Sequence, residues 1–206
     1  MYRYAITDRS QYGESESARK AGLLQQAARL ASSGVDFIQL REKDLAASDL
    51  IGVAREIVQL LRTSNAGTRL LINSRADIAA AVGTGLHLPS GDTQLTVEQA
   101  RQILTHQSQS GPASDFTPVI SISCHTFEEV ERARNSAADL ILFGPVFGKT
   151  HDGKLLVHGL GLDALKTACI IAQKTPVLAL GSITHENIPL CLEAGASGIA
   201  AIRLFR

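Results

Sequence analysis

The sequence predicts an α/β fold, a single parallel eight-stranded (β/α)8 TIM barrel. Strand-like and helix-like segments alternate along the whole chain, and eight such units close most naturally into a barrel. A short motif, in which small residues precede a β-rich run, also recurs at intervals of roughly 50 to 60 residues, or two strand–helix units. This recurrence indicates a repeated architecture. We therefore expect one domain spanning residues 1–206.

An open doubly wound sheet is the competing fold. Such a sheet usually has fewer strands, and a dinucleotide-binding version carries a Gly-rich fingerprint after its first strand. In this chain Thr7-Asp8-Arg9-Ser10 stands at that position. The pattern therefore favours the barrel.

The predicted strands are continuous apolar runs, which is typical of a parallel sheet covered on both faces. Four of them lie at the ends of the recurring motifs, which are Ser33–Leu40, Val82–Leu88, Ala137–Gly144 and Ala194–Ala201. The other four are Tyr2–Thr7, Arg69–Asn73, Pro118–Ile122 and Pro176–Leu180.

Helix-like segments separate these strands, and several open with a capping residue. Thr126 and Glu129 have the spacing of a capping box. The predicted helices are Ser17–Ser32, Ser48–Leu61, Ala76–Val82, Thr96–Leu104, Phe127–Ser136, Leu162–Gln173 and His185–Glu193.

The chain stops a few residues after the last strand, so the eighth helix is expected to be missing or very short. Either that flank of the barrel is bare or a neighbouring subunit covers it. Because an exposed apolar flank is a liability, we expect a homo-oligomer.

Composition narrows the partners and the compartment. Twenty basic residues balance twenty acidic ones, so no global field recruits nucleic acid or an anionic membrane. No apolar run approaches the roughly 18 residues of a transmembrane helix, and the N-terminus lacks the features of a signal peptide. Cys124, Cys169 and Cys191 are few, far apart and without metal-ligand spacing, which predicts a reduced, cytoplasmic protein.

The active site of such a barrel lies at the carboxyl ends of its strands, and seven of those ends carry polar or charged residues. Arg41 and Lys43 follow the second strand, where a planar fork of donors and a compact point charge suit a phosphate. Charged residues also end strands simply to be solvated. The other candidates are Glu42, Asn73, Ser74, Arg75, His87, Ser123, Cys124, His125, Gly144, Gly181, Ser182 and Arg203, with Lys149 in the loop from Gly148 to Gly161.

Two of these ends have a specific chemical interpretation. The loop that begins at Gly181-Ser182 follows the seventh strand, where barrels often bind phosphate through backbone N–H groups, although Ser182 or Thr184 could instead be an ordinary N-cap. His125 could move protons near neutral pH, or cap the following helix. His87 is expected to be a satisfied barrel histidine, and Arg203 adds a positive charge after the eighth strand unless it is a surface residue.

The ordered motifs resemble the thiamine phosphate synthase and thiazole tautomerase (TenI-like) family over nearly the whole chain. The resemblance implies a (β/α)8 barrel and a phosphorylated thiazole as substrate. It is carried by Tyr4-Ala5-Ile6-Thr7-Asp8, Gln39-Leu40-Arg41-Glu42-Lys43-Asp44, Leu71-Ile72-Asn73-Ser74-Arg75-Ala76-Asp77, His87-Leu88-Pro89-Ser90-Gly91-Asp92, Ser121-Ile122-Ser123-Cys124-His125-Thr126 and Phe143-Gly144-Pro145-Val146-Phe147.

Two activities share that thiazole phosphate. A synthase couples it to a pyrimidine diphosphate, with Mg²⁺ helping diphosphate to leave, whereas a tautomerase moves a proton to aromatise a thiazole phosphate carboxylate and needs no metal. Ser74 replaces one magnesium ligand of the synthases and Asp92 matches the other, and a single carboxylate is a poor Mg²⁺ site. The usual Gly-Gly after the seventh strand is Gly181-Ser182 here. Leu88-Pro89-Ser90-Gly91 looks more like the tautomerase branch.

The sequence therefore favours a metal-independent tautomerase without a cofactor, and His125 matches the histidine to which the resemblance gives proton transfer. Gly181, Ser182 and Arg203 would hold the phosphate. The remaining expected substrate contacts are Arg41, Lys43, Asn73, Ser123, Gly144 and Lys149. A synthase that uses Mg²⁺ with Asp92 as a ligand is the first alternative, and a catalytically silent binder or regulator of a phosphorylated ligand is the second.

Overall fold

A closed barrel of eight parallel strands forms the centre of the molecule, which confirms the predicted fold. The computed structural model describes residues 1–64, 67–91, 95–108, 117–151 and 154–206. The barrel closes by pairing of the first and last strands, in register Tyr2 to Gly198. Its strands are β1 (Tyr2–Ile6), β2 (Phe37–Leu40), β3 (Arg69–Asn73), β4 (Gly85–Leu88), β5 (Ile120–Cys124), β6 (Leu140–Phe143), β9 (Val177–Leu180) and β10 (Gly198–Ala201).

Helices follow the strands at the predicted places. The capping box of Thr126 and Glu129 is present at the start of α5. The last helix begins at Ile188 rather than His185, since Pro189 has no N–H to donate and is tolerated only in a first turn. The helices are α1 (Glu16–Ser32), α2 (Ala47–Thr63), α3 (Ala76–Val82), α4 (Val97–Ser108), α5 (Phe127–Asn135), α6 (Leu162–Ala172) and α7 (Ile188–Glu193).

Two apolar sets stabilise this architecture. The larger set lies between the barrel and the helices, where residues such as Leu23, Ile57 and Leu165 are fully buried. The smaller set fills the barrel interior and contains Tyr4 and Leu142. Burial of both faces explains why the strands read as continuous apolar runs.

A short antiparallel hairpin leaves the barrel after β6, within the segment that the sequence analysis treats as a loop. Its strands are β7 (Lys149–His151) and β8 (Lys154–Val157). The dipeptide Asp152-Gly153 between them is a strong hairpin signal. The segment predicted as a loop that carries Lys149 therefore contains a short hairpin.

The eighth helix is replaced by a 3-10 turn, Arg203–Phe205, as expected from the short segment after the last strand. Phe205 is buried, and its carbonyl accepts hydrogen bonds from Gln26 Nε2 at 3.0 Å and Arg29 at 3.3 Å. The Arg3 guanidinium lies 5.8 Å from the centre of the Phe205 ring. This turn therefore packs part of the flank that a helix would have covered.

Two further findings concern the helices and the cysteines. None of the helices that the structure describes is long and apolar enough to cross a bilayer. Cys124, Cys169 and Cys191 are free thiols, and burial raises the pKa of Cys124 to about 12. Cys124 is therefore protonated near neutral pH and unsuited to act as a nucleophile beside His125.

Candidate active site

Two neighbouring cavities open at the carboxyl ends of the barrel strands, where the fold predicts a site. The first, called the central cavity, has a volume of about 300 Å³ and is lined chiefly by residues of β2 to β5. The second, called the outer cavity, has a volume of about 330 Å³ and is lined chiefly by residues that follow β9 and β10. Leu180 and Ile202 line both cavities, so the two cavities adjoin, and together they are called the mouth.

The cluster Arg41-Glu42-Lys43 divides between two sides of the backbone. Arg41 and Lys43 line the central cavity. Glu42 is buried and accepts hydrogen bonds from Thr7 Oγ1 and, at 3.0 Å, from the backbone N–H of Arg9. Glu42 thus ties the ends of β1 and β2 together, and only the two cations face the mouth.

Arg9 is a structural residue that the sequence analysis left without a role. Its side chain is only 5% exposed and forms an ion pair with Asp44 at 2.6 Å, and it also pairs with Glu16 and approaches Glu42. Burial raises the pKa of Glu42, while the bonds from Thr7 and Arg9 act in the opposite direction. The available sequence signal was a basic residue, Arg9, directly after the first strand. Such a residue needs carboxylate partners if it is buried.

A chain of amides lines the floor of the central cavity. Gln39 Nε2 donates to Asn73 Oδ1 at 2.8 Å, and Asn73 Nδ2 donates to Ser74 Oγ at 2.9 Å. Ser74 adopts a left-handed backbone conformation with φ 64°, which is unusual for a residue other than glycine. Both polar atoms of the Asn73 side chain are therefore engaged by neighbouring residues, and the side chain lies along the cavity wall.

Gln39 is the site residue that sequence reasoning missed. It is 2% exposed, lines the central cavity, and its side-chain oxygen Oε1 has no hydrogen-bond partner in the described part of the chain. A buried acceptor without a partner is costly, so a ligand N–H donor is the natural partner for it. The only sequence signal was one polar residue within an apolar strand.

His87 lies in the barrel between two serines, as expected for a satisfied histidine. Its Nδ1 lies 2.8 Å from Ser121 Oγ and its Nε2 lies 3.0 Å from Ser123 Oγ. Burial lowers the pKa of His87 to about 3, and the positive charge of Arg41 contributes to that shift. His87 is therefore a neutral hydrogen-bonding group near neutral pH, and Ser123 reaches the central cavity beside it.

His125 also lines the central cavity, and its ring is oriented by the main chain. Its Nδ1 is hydrogen-bonded to the carbonyl oxygen of Gly144. A carbonyl only accepts, so Nδ1 carries the proton and Nε2 is left as the basic nitrogen in neutral imidazole. The backbone N–H of His125 donates to Glu129, which also completes the capping box.

Gly144 contributes to this orientation from behind the site. A Cβ atom at residue 144 would lie 2.1 Å from the carbonyl oxygen of Leu180, so only glycine allows β6 and β9 to approach so closely. Its carbonyl oxygen is engaged by His125. The position expected to contact substrate therefore supports His125 in this structure.

The outer cavity brings together the predicted phosphate contacts. Lys149, Gly181, Ser182 and Arg203 all line it, together with Thr184. Gly181 has φ 105° and packs against Pro145, while Ser182 has φ 49°. The predicted N-cap role is not taken by Ser182 or Thr184 side chains, because Asn187 holds this turn by accepting from the Thr184 N–H at 2.9 Å and donating to the Ser182 carbonyl at 3.0 Å.

Comparison with known proteins adds sequence relatives to this geometry. The family model described as thiamine monophosphate synthase matches residues 3–205. The chain belongs to this family. A putative thiamine-phosphate synthase of Geobacter sulfurreducens is 39% identical over 200 residues, covering 97% of this chain and 84% of that protein.

A second relative and a solved structure carry names from the same family. The putative thiamine-phosphate synthase 2 of Aquifex aeolicus is 35% identical over 210 residues, covering 98% of this chain and 96% of that protein. The solved structure of thiamine phosphate pyrophosphorylase from Pyrococcus furiosus has a TM-score of 0.73 at 25% identity, covering 98% of this chain and 85% of that one. Membership places the chain among enzymes of thiamine biosynthesis. These names favour the synthase alternative, and the tautomerase that the sequence favoured is not supported by them.

The magnesium ion that the synthases use does not fit the described residues of the mouth. Ser74 offers a neutral oxygen already engaged by Asn73, and Asp92, the expected second ligand, lies outside the described residues. Among the residues that line the central cavity there is no carboxylate. Nor do the described ranges contain any group of three His, Cys, Asp or Glu residues arranged for a metal. Mg²⁺ prefers anionic oxygen ligands, which this part of the site does not supply.

Proposed function

We propose that the protein is a thiamine-phosphate synthase that couples hydroxymethylpyrimidine diphosphate to thiazole phosphate. The observation that carries this proposal is the pair of contiguous cavities, each with its own cations. A coupling reaction between two phosphorylated substrates requires two adjacent anion sites. A tautomerase binds a single substrate, whose phosphate and carboxylate belong to one molecule, and needs no site for a second molecule.

Among the residues that the structure describes, the cations of both cavities have no carboxylate partner, unlike several other arginines. Arg9, Arg75 and Arg101 each form an ion pair with a carboxylate. In contrast, no ion pair within the described ranges involves the side chain of Arg41, Lys43, Lys149 or Arg203. Unpaired cations at the rim of a cavity attract anionic ligands, and Arg forms bidentate bonds with phosphate oxygens.

The central cavity suits the pyrimidine diphosphate. Gln39 Oε1, which has no partner among the described residues, would accept from an N–H group of the aminopyrimidine, while Arg41 and Lys43 contact the diphosphate. In the reaction the thiazole nitrogen forms a bond to the pyrimidine methylene carbon as the bond from that carbon to the diphosphate oxygen breaks. Arg41 and Lys43 would stabilise the negative charge that develops on the leaving diphosphate.

The outer cavity suits the phosphate of the thiazole substrate. Lys149 and Arg203 supply the charge, and Ser182 supplies a hydroxyl. The shared wall at Leu180 and Ile202 would bring the thiazole ring against the pyrimidine. Holding two reactants in this way converts a bimolecular step into an effectively unimolecular one.

The decisive experiment is a coupling assay with purified, folded protein. We expect thiamine phosphate to form from hydroxymethylpyrimidine diphosphate and thiazole phosphate with Mg²⁺ present, and a parallel reaction with EDTA measures the metal requirement. Absence of product with both substrates at millimolar concentration, from protein shown to be folded by circular dichroism, would contradict the proposal.

Thiazole tautomerisation is the second candidate, and one observation favours it. The Gly144 carbonyl holds His125 with Nε2 as its basic nitrogen at the central cavity, and a positioned acid–base group contributes about 10² to 10⁴ in rate. Aromatisation of the thiazole phosphate carboxylate tautomer, followed by its ultraviolet absorbance, tests this candidate. His125→Asn would then abolish aromatisation and retain thiazole phosphate binding.

A further inference from the structure

A continuous hydrogen-bonded chain runs through the barrel interior to the central cavity. It begins at Tyr4, whose OH lies 2.9 Å from Ser121 Oγ. It continues from Ser121 Oγ to His87 Nδ1 at 2.8 Å, and from His87 Nε2 to Ser123 Oγ at 3.0 Å. Tyr4 and Ser121 are fully buried and His87 is 3% exposed, whereas Ser123 reaches the cavity.

The buried end of this chain fixes the direction of its first bond. Tyr4 OH has Ser121 Oγ as its only hydrogen-bond partner in the described part of the chain. A phenol hydrogen without an acceptor carries the full cost of desolvation. Tyr4 therefore donates and Ser121 accepts.

The direction of every later bond follows from the first. Ser121 must place its own hydrogen somewhere, and among the described residues its only other partner is His87 Nδ1. A neutral imidazole carries one proton, so His87 holds it on Nε2 and donates it to Ser123 Oγ. The hydrogen of Ser123 is then free to point into the central cavity.

The other arrangements each leave a buried O–H group without an acceptor. If His87 carried its proton on Nδ1 and Tyr4 still donated, Ser121 would accept two bonds and its hydrogen would have no partner. If Ser121 instead donated to Tyr4, the phenol hydrogen would be left over. Burial also keeps His87 neutral, because it lowers the pKa of that group to about 3.

We infer that Ser121 is a positioning residue, which holds His87 as the Nε2–H tautomer and thereby makes Ser123 a hydrogen-bond donor towards the substrate. This inference rests on the proposed function only for the identity of the substrate. A donor at Ser123 matches the acceptors that both substrates carry, which are ring nitrogens and phosphate oxygens. Ser121 acts through His87 and does not itself reach the cavity.

The tautomer of His87 gives a direct test that needs no substrate. Two-bond ¹H–¹⁵N correlation spectra of protein with ¹⁵N-labelled histidine at pH 7 distinguish the two ring nitrogens, and the signals of His87 are those missing in His87→Gln. We expect a protonated Nε2 and an unprotonated Nδ1. A protonated Nδ1 in the wild-type protein would overturn the inference.

Three variants then distinguish an effect of hydrogen-bond direction from an effect of lost side-chain packing. Ser121→Ala leaves Nδ1 without a partner in either tautomer, so nothing fixes the proton on Nε2, and we expect the single Nε2–H signature to become a mixture of both tautomers. Ser121→Thr keeps a hydroxyl and should restore it. Tyr4→Phe also removes a buried hydroxyl but leaves Ser121 as the donor, so it should retain the Nε2–H tautomer and is the matched control.

Substrate kinetics provide the functional readout. Ser121→Ala should raise the KM for hydroxymethylpyrimidine diphosphate about tenfold, the loss of roughly one hydrogen bond, and Ser121→Thr should stay within about twofold of wild type. Equal KM values for Ser121→Ala and wild type would contradict the role of Ser121. If no coupling activity exists at all, binding of inorganic diphosphate measured by calorimetry replaces KM, so failure of the proposed function is distinguishable from failure of this inference.

Discussion

The two cavities at the mouth are built in different ways. In the central cavity, Gln39, Asn73 and His87 extend from barrel strands and are fixed by hydrogen bonds to neighbouring side chains. In the outer cavity, Lys149 comes from a hairpin and Arg203 from the terminal turn. Neither the Lys149 nor the Arg203 side chain forms a hydrogen bond or an ion pair with any residue that the structure describes.

This difference indicates a division of labour. Side chains held on rigid strands keep a reacting atom in a defined geometry, which bond formation requires. Residues on loops and turns tolerate changes in position, and a phosphate can be held by charge from several directions. The central cavity should therefore control kcat, and the outer cavity should chiefly control KM.

The largest expected effect is that of Arg41→Ala in the central cavity. Loss of a charge-assisted, bidentate contact to the leaving diphosphate should lower kcat/KM for coupling about 100-fold, with most of the loss in kcat. Steady-state kinetics with both substrates measure this. Arg69→Ala, which removes an exposed arginine at the opposite end of the barrel, is the control and should change kcat/KM less than twofold. A loss confined to KM would argue against the division.

A smaller effect is expected for Lys149→Ala in the outer cavity. Removal of one exposed cation should raise the KM for thiazole phosphate about tenfold and leave kcat within about twofold. Lys166→Ala on α6 provides the control, since it removes an equal charge from the outside of the barrel. If Lys149→Ala lowers kcat as strongly as Arg41→Ala does, the two cavities do not differ in role.

The smallest effect concerns the backbone of the outer cavity. Ser182 has φ 49°, so Ser182→Gly should relieve strain and raise the free energy of unfolding by up to about 1 kcal/mol, measured by urea denaturation. Ala137 has φ 56° after α5, and Ala137→Gly should give a similar gain. Only Ser182→Gly should also raise the KM for thiazole phosphate, by about threefold, roughly half the energy of one hydrogen bond. An unchanged KM would show that the Ser182 hydroxyl does not contact the phosphate.

Most of the fold followed from the sequence, because alternating helix and strand segments and continuous apolar runs report directly on burial. The mouth was also predictable, since strand ends in such a barrel meet at one face. His125, Lys149 and Ser182 accordingly line the two cavities.

What the sequence did not reveal depends on which atoms meet across the barrel. Arg41, Glu42 and Lys43 read as one cluster, but Glu42 accepts hydrogen bonds from Thr7 and Arg9, which lie 35 and 33 residues away. Gln39 Oε1 lacks a partner among the described residues because Asn73 engages only the Nε2 atom of that side chain, which the sequence does not show. The sequence also favoured the tautomerase, because Ser74 stands in place of a magnesium ligand, whereas the names of the relatives favour the synthase.

The terminal turn has a practical consequence for anyone who joins another protein to this one. Phe205 is buried only two residues after Arg203, and Gln26 and Arg29 hold its carbonyl. A change that displaces this anchor would therefore also move Arg203, a cation of the outer cavity. Met1 is 63% exposed at the amino end of β1, on the face opposite the mouth. Fusions and immobilisation tags therefore belong at Met1.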